Sequence, residues 1–323
     1  MKKKVDITVF GCEMDEAEVF NKLSNEFGIT VSLIREAVSE DNAKLAAGCQ
    51  CVSVNHKAEL SEPLLLALKN VGVKYVCTRS IGFNHIDIQA AGQMGMTIGT
   101  SVYSPGSVAD YTIMLMLMLV RGIKSIMRKT EKQNYCLNYF RGKELRDMTI
   151  GVLGTGRIGQ AVIERLEGFG CTVLAYDSNY KSGADFVPFC ELLKSSDIIT
   201  LHVPLTKDTF HMIGREQLKT MKKGALLINT ARGALVDTGA LVKALEDGII
   251  GGAALDVLEG EEGIFYYDCT HKALNHPFLP ALQRMPNVII TPHTAYHTER
   301  ALVDTVSDTI RNCLDFERSL GNE

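Results

Sequence analysis

The run Gly154-Thr155-Gly156-Arg157-Ile158-Gly159 stands between an apolar, β-rich stretch at 149–153 and a helical pattern over 158–169. Few folds are open to a chain that passes from strand to helix through three glycines at this spacing. The first glycine allows a tight turn, the second lets a pyrophosphate approach the backbone, and the third lets helix and strand pack closely. The helix N-terminus then aims unpaired N–H groups at the anion. A second strand, 172–176, ends on Asp177, about 20 residues further along, where a carboxylate accepts hydrogen bonds from ribose hydroxyls. Residues 154–159 with Asp177 therefore read as a site for NAD(H). A carboxylate repels a 2′-phosphate, while Lys181 nearby keeps NADP(H) open.

The same alternation runs through the chain. Strand-like runs at 7–10, 30–33, 51–54, 75–78 and 96–98 are separated by helical patterns, one with Phe20, Leu23 and Phe27 on a single face and one opened by Pro63. After a long apolar helix at 107–120, a second series follows at 149–153, 172–176, 198–201, 226–229, 253–257 and 288–291. Strands that alternate with helices build parallel sheets covered on both faces. A length of 323 residues exceeds the usual span of one core. The expectation is an α/β protein with two parallel-sheet domains. Residues 258–287 show weak periodicity yet hold Phe265, Tyr266, Tyr267 and Phe278, so an ordered, functional loop is expected there.

Charge and composition exclude several classes. The formal net charge is −4 and the only basic block is residues 1–4, which argues against nucleic acid as a partner. The most apolar stretch, 113–120, falls short of the roughly 20 residues that span a membrane. The start of the chain lacks the apolar core of a signal peptide. Nine cysteines are scattered without a CxxC spacing, so neither a zinc site nor a disulfide framework is expected and a reducing cytoplasm is the simplest compartment. His293 and His297 are four apart, but Pro292 precedes the first and no Glu follows it as in HExxH, so no metal is expected.

Three kinds of side chain lie just past predicted strand ends, where open α/β sheets bind ligands. Arg232 follows Asn229-Thr230-Ala231, the acidic cluster Glu259, Glu261 and Glu262 follows 253–257, and His293 follows Thr291-Pro292. Reduction of a 2-keto acid needs a cation for the carboxylate, a proton donor for the carbonyl oxygen and a group that keeps the donor protonated. Arginine supplies a two-toothed carboxylate clamp, histidine a proton available near neutrality, and a neighbouring carboxylate favours the imidazolium. On spacing alone, Arg232 could be a surface residue in a turn and the acidic cluster a solvated loop.

At these positions the chain closely resembles the D-isomer-specific 2-hydroxyacid dehydrogenases, through Gly-Thr-Gly-Arg-Ile-Gly, Asn-Thr-Ala-Arg-Gly, Asp-Val-Leu-Glu-Gly-Glu and Thr-Pro-His-Thr-Ala. Within that family it is most similar to D-lactate dehydrogenases of the vancomycin-resistance type, in the stretch from Arg79 to Asp87, in Tyr103-Ser104-Pro105 and in Gly263-Ile264-Phe265-Tyr266. The resemblance implies that His293 is the acid–base residue, that Glu261 is its partner within the acidic cluster, and that Arg232 binds the substrate carboxylate and carbonyl. It also implies that backbone N–H groups around Ser80, Ile81 and Gly82 hold the carboxylate and that Tyr103 closes the pocket, with Asn55 and Tyr296 shaping its side-chain end. Asp256, His202, Val203, Pro204, Thr230 and Ala231 would border the cofactor.

The family fold implies two Rossmann-like or flavodoxin-like domains with the active site in the cleft between them. The substrate domain would comprise residues 1–102 and 298–323, and the NAD-binding domain residues 103–297. Members are commonly homodimers built through the helix after the crossover and its arm, here 107–146, where Tyr135, Leu137, Tyr139 and Phe140 are interspersed among charges. The implied reaction is NADH-dependent reduction of pyruvate or a related small 2-keto acid to the D-2-hydroxy acid. A larger or aromatic keto acid, such as phenylpyruvate or 2-ketoisocaproate, is the alternative. A non-catalytic NAD-sensing, corepressor-like protein is a further one, set against the full Arg, Glu and His set.

Overall fold

Among the described residues all of the strands pair in parallel, and they fall into two sheets. The computed structural model describes residues 6–137, 141–178 and 185–320; residues 1–4, Tyr139, Phe140 and Lys181, which entered the sequence argument, lie outside them. The chain divides into two units, Met1–Ser104 with His297–Glu323, and Pro105–Tyr296.

The first unit holds β1 (Asp6–Val9), β2 (Thr30–Leu33), β3 (Cys51–Val54), β4 (Tyr75–Thr78) and β5 (Thr97–Thr100), in the order β2-β1-β3-β4-β5. Period-2 alternation sends neighbouring side chains to opposite faces. Val52, Val54 and Val76 join Leu64, Leu65 and Leu68 of the helix Glu62–Asn70 on one side. On the other side, Cys51, Tyr75 and Cys77 meet Phe20 of the helix Met14–Phe27 and Val306, Ile310 and Cys313 of the helix Glu299–Leu320. Each wholly buried Leu or Ile stabilises by about 1.5–3 kcal/mol. Because both faces are covered, β3 and β4 have no solvent-facing residue.

Arg79, one residue past β4, ties three strand ends together. Its side chain is 1% exposed and pairs with Glu16 at 2.9 Å. It also donates to Ser53 Oγ (3.0 Å), the Phe10 carbonyl (3.0 Å) and the Gly11 carbonyl (2.9 Å). Glu16 meanwhile accepts from the Glu13 N–H at 3.1 Å, so the same carboxylate caps the first helix.

The second unit holds β6 (Thr149–Leu153), β7 (Thr172–Tyr176), β8 (Asp185–Phe186), β9 (Ile198–Leu201), β10 (Leu226–Asn229), β11 (Gly252–Leu255) and β12 (Val288–Ile290). Their order is β12-β11-β10-β9-β6-β7-β8, a doubly wound sheet whose direction of growth reverses between β6 and β9. The helices Gly106–Val120 and Arg157–Glu167 cover one face through Leu115, Met116, Val162 and Leu166. Leu218, Leu241 and Leu282 cover the other. The expected strand at 253–257 stops at Leu255, because Asp256 turns into the fold, and the short helix Leu279–Arg284 lies inside the expected loop 258–287.

Among the described residues no single helix is long and apolar enough to cross a membrane. All nine cysteines are free thiols; burial pushes the Cys12 thiol up to about 11 and raises Cys77, which makes both poor nucleophiles.

Replacing Glu16 by Ala leaves the Arg79 guanidinium buried without its counter-charge. The expected loss is about 3–5 kcal/mol, read from urea denaturation; a midpoint equal to the parent's would show that the carbonyls alone satisfy Arg79.

Candidate active site

The glycine loop follows β6 at the reversal point of the second sheet, and its three glycines have three different surroundings. Gly154 has φ +92°, and a Cβ there would lie 2.6 Å from the His202 carbonyl oxygen. At Gly159 a Cβ would lie 1.9 Å from the Gly154 carbonyl oxygen. These two are required by the protein's own backbone. Around Gly156 a Cβ would meet no protein atom within 4 Å, and its φ of −63° suits any residue. Gly156 is also the N-cap of the helix Arg157–Glu167, which no side chain caps. A glycine with nothing around it, at an uncapped helix start, is shaped for a phosphate that comes close.

Asp177 reaches across from the end of β7. Its Oδ2 accepts from the Thr155 N–H at 2.6 Å and from Thr155 Oγ1 at 2.9 Å, while the Gly154 N–H donates to the Tyr176 carbonyl at 2.8 Å. Arg157 is exposed and Ile158 half-buried. His202, past β9, holds Thr200 Oγ1 at 2.9 Å; burial pushes its imidazole down to about 3, so the ring is neutral. Val203 is half-buried and Pro204 exposed. Thr230 is buried, with its hydroxyl 3.0 Å from that of Thr112.

The ends of β10, β11 and β12, three adjacent strands, carry Arg232, Glu261 and His293. Asn229 shapes the first turn: its Nδ2 donates to the Arg232 carbonyl (2.8 Å) and its Oδ1 accepts from the Ala231 N–H (3.0 Å). A Cβ on Gly233 would lie 2.1 Å from the Leu258 carbonyl carbon, so Ala-Arg-Gly presses the Arg232 turn against the loop that leads to Glu261. Arg232 is half-buried and its Nη1 donates to the Ala231 carbonyl at 2.6 Å.

His293 and Glu261 are in direct contact, Nδ1 to Oε1 at 2.6 Å, with side chains 21% and 17% exposed. The other oxygen of Glu261 accepts from the Leu258 N–H at 2.6 Å. The three acids of the cluster are thereby told apart. Glu259 pairs with His211 at 2.7 Å and accepts from Thr238 at 3.4 Å, and Glu262 is exposed. With its Nδ1 on a carboxylate, the His293 ring presents Nε2 for proton transfer.

Two residues expected at the site make structural contacts of their own. Asp256, expected beside the cofactor, is wholly buried. Its Oδ1 accepts from Thr291 Oγ1 (2.7 Å) and the Thr294 N–H (2.9 Å), and its Oδ2 from the Ala295 N–H (2.9 Å). Its side chain therefore holds the His293 loop from behind. In the first unit, Asn55, expected at the side-chain end of the substrate, is 9% exposed; it donates to the Gly11 carbonyl (3.0 Å) and accepts from the Lys57 N–H (3.1 Å). Its amide is spent on its own backbone.

The Ser80 hydroxyl is used locally too, on the Gly82 carbonyl at 2.7 Å. Ile81 is 36% exposed, and the backbone N–H groups of Ile81 and Gly82 have no acceptor among the described residues. Tyr103 and Tyr296 are half-buried, and the Tyr296 ring meets His293 edge-on at 6.3 Å. One residue was given no role from sequence: Tyr266, whose hydroxyl donates to the His293 carbonyl at 3.1 Å. Its signals were its place in an aromatic-rich loop and in the run Gly263-Ile264-Phe265-Tyr266.

A nucleotide cradle and a histidine–carboxylate pair on one doubly wound sheet define a nicotinamide-dependent oxidoreductase. The description D-isomer specific 2-hydroxyacid dehydrogenase, NAD binding domain, matches residues 113–295. A D-specific alpha-keto acid dehydrogenase of Enterococcus faecalis is 64% identical over 323 residues, covering 100% of both chains. An aromatic 2-oxoacid reductase of Clostridium sporogenes is 40% identical, covering 94% of this chain and 93% of its own. The D-lactate dehydrogenase of Aquifex aeolicus, solved with NAD and lactic acid, superposes with a TM-score of 0.86 at 34% identity, covering 97% of this chain and 96% of that one. The chain belongs to the NAD-dependent D-isomer specific 2-hydroxyacid dehydrogenases.

The glycine surroundings give a two-sided test. Gly156→Ala should fold with the parent's thermal midpoint yet bind NADH about tenfold more weakly or worse by fluorescence titration, whereas Gly159→Ala should destabilise the fold. Undiminished NADH binding by Gly156→Ala would remove the phosphate from that position.

Proposed function

We propose that the protein reduces pyruvate, or a related small 2-keto acid, to the D-2-hydroxy acid with NADH. The 2.6 Å contact between His293 and Glu261 carries this reading, because it joins a ring able to donate a proton to a carboxylate that orients it. NADH, held by residues 154–159 and Asp177 with Val203, Pro204, Thr230 and Ala231 alongside, supplies the hydride. Arg232 holds the substrate carboxylate and polarises the carbonyl; it has no carboxylate partner of its own among the described residues. The imidazolium of His293 gives its Nε2 proton to the carbonyl oxygen, and Glu261 keeps Nδ1–H oriented throughout. Within the first unit, the N–H groups of Ile81 and Gly82 are left for a carboxylate to accept; within the second, Tyr296 stands edge-on to His293 and limits the substrate's side chain. The lactic acid bound by the Aquifex aeolicus enzyme supports a small substrate. The name of the Clostridium sporogenes relative supports the second reading, an aromatic keto acid, which a panel of keto acids separates from the first.

A homodimer in the cytoplasm fits the same reading. The helix Ile123–Thr130 buries none of its residues, and Ile126, Met127, Tyr135 and Leu137 lie exposed along it and the segment that follows. Apolar side chains exposed together on one helix and the segment after it suit an interface between copies of the chain. Activity should be recovered from the cytoplasmic fraction and sediment at twice the chain mass; a monomeric active species would end the dimer reading.

With pyruvate the product should be D-lactate, and L-lactate would sink the assignment. Arg232→Lys should lower kcat/KM by about a hundredfold or more, since an ammonium cannot reproduce the paired hydrogen bonds. Glu261→Gln should lower kcat by about tenfold or more, since an amide orients the imidazole less firmly than the carboxylate does; parental turnover takes Glu261 out of its role.

A further inference from the structure

The segment that carries Glu261 grips His293 a second time, through Tyr266. Glu261 holds the imidazole at Nδ1, and five residues on Tyr266 donates its hydroxyl to the His293 main-chain carbonyl at 3.1 Å. Its ring lies 5.7 Å from the imidazole, tilted by 33°. Both residues have left-handed backbones, with φ +70° at Tyr266 and +56° at His293. Side chains other than glycine avoid that region and hold it only where the surroundings over-determine it. His293 is pinned at its N–H by the Asp256 carbonyl (2.7 Å) and the Thr291 carbonyl (3.0 Å), and at its carbonyl by Tyr266. Tyr266 is itself placed by Phe265, which sits in the core with 6% exposure, and by the Phe265 N–H on the Glu261 carbonyl at 3.0 Å.

We propose that Tyr266 is a positioning residue that sets the imidazole of His293 against Glu261 by fixing the His293 peptide. The proposal rests on the reading of His293 as proton donor. The titratable groups that face the imidazole are Glu261, which touches Nδ1, the phenols of Tyr266 and Tyr296, and the buried Asp256 behind its loop. Burial, and then the neighbouring Tyr296, Glu261 and Asp256, push the Tyr266 phenol above its ordinary range. It therefore remains a hydrogen-bond donor wherever the enzyme works. No covalent step is assigned to it.

Tyr266→Phe keeps the ring and removes the hydroxyl, and with it the bond to the His293 carbonyl and the contact with Tyr296. With the best keto acid and NADH, kcat should fall about tenfold while KM stays within about twofold, because the loss is one of orientation. In a Glu261→Gln background the same substitution should cost less than about twofold, since partners acting through one contact are not additive. The proposal is overturned by a parental kcat in Tyr266→Phe, by a loss confined to the thermal midpoint, or by equal losses in both backgrounds. A His293→Gln variant with parental activity would instead overturn the underlying reading, whatever Tyr266→Phe does.

Discussion

A wholly buried carboxylate organises the end of the second sheet. Asp256 stands where β11 leaves the sheet, and it takes hydrogen bonds from Thr291, Thr294 and Ala295 on the far side of β12. A charge removed from water must be paid for by donors, and these all come from the segment that holds His293. The arrangement forces that segment over the strand end and leaves His293 with a left-handed backbone. The placement of the imidazole is thus a consequence of burying an acid, and the contact with Glu261 follows from it.

The same logic recurs in the first unit with the signs reversed. There the buried charge is the Arg79 cation, satisfied by Glu16, Ser53 and two main-chain carbonyls. It leads directly into Ser80, Ile81 and Gly82, and the N–H groups of Ile81 and Gly82 have no acceptor among the described residues. In both units, then, a side chain hidden from solvent fixes the course of the loop beside it. Interiors of this kind lose a great deal when one partner is removed, since the remaining charge has nowhere to go.

Much of this architecture could be read from residues alone. Strand runs such as 51–54 and 226–229 are largely apolar because both faces of a parallel sheet are covered, and the structure forms them there. The glycine loop was legible because its spacing, its strand and its helix agree. What escaped was whatever depends on partners distant in sequence. Nothing local says that Asp256 points inward, that Asn55 spends its amide on Gly11, or that Arg79 finds Glu16, 63 positions away. Glu259, Glu261 and Glu262 are alike in a linear reading, and only His211 and His293 separate them. Tyr266 escaped for the same reason. The two-residue β8 is too short for any periodicity, and the helix at Leu279 owes its start to the side chain of His276, whose Nδ1 accepts from the Phe278 and Leu279 N–H groups.

The carboxylate of Asp177 has two employers. One oxygen already holds the backbone and hydroxyl of Thr155, inside the glycine loop, before any nucleotide arrives. The acid proposed to meet the ribose is therefore also a brace for the glycine turn. Anyone who wishes to re-engineer the coenzyme preference by exchanging this acid for a neutral or basic residue will at the same time unbrace the loop. A successful redesign has to supply a new acceptor for Thr155 along with the new partner for the 2′ position.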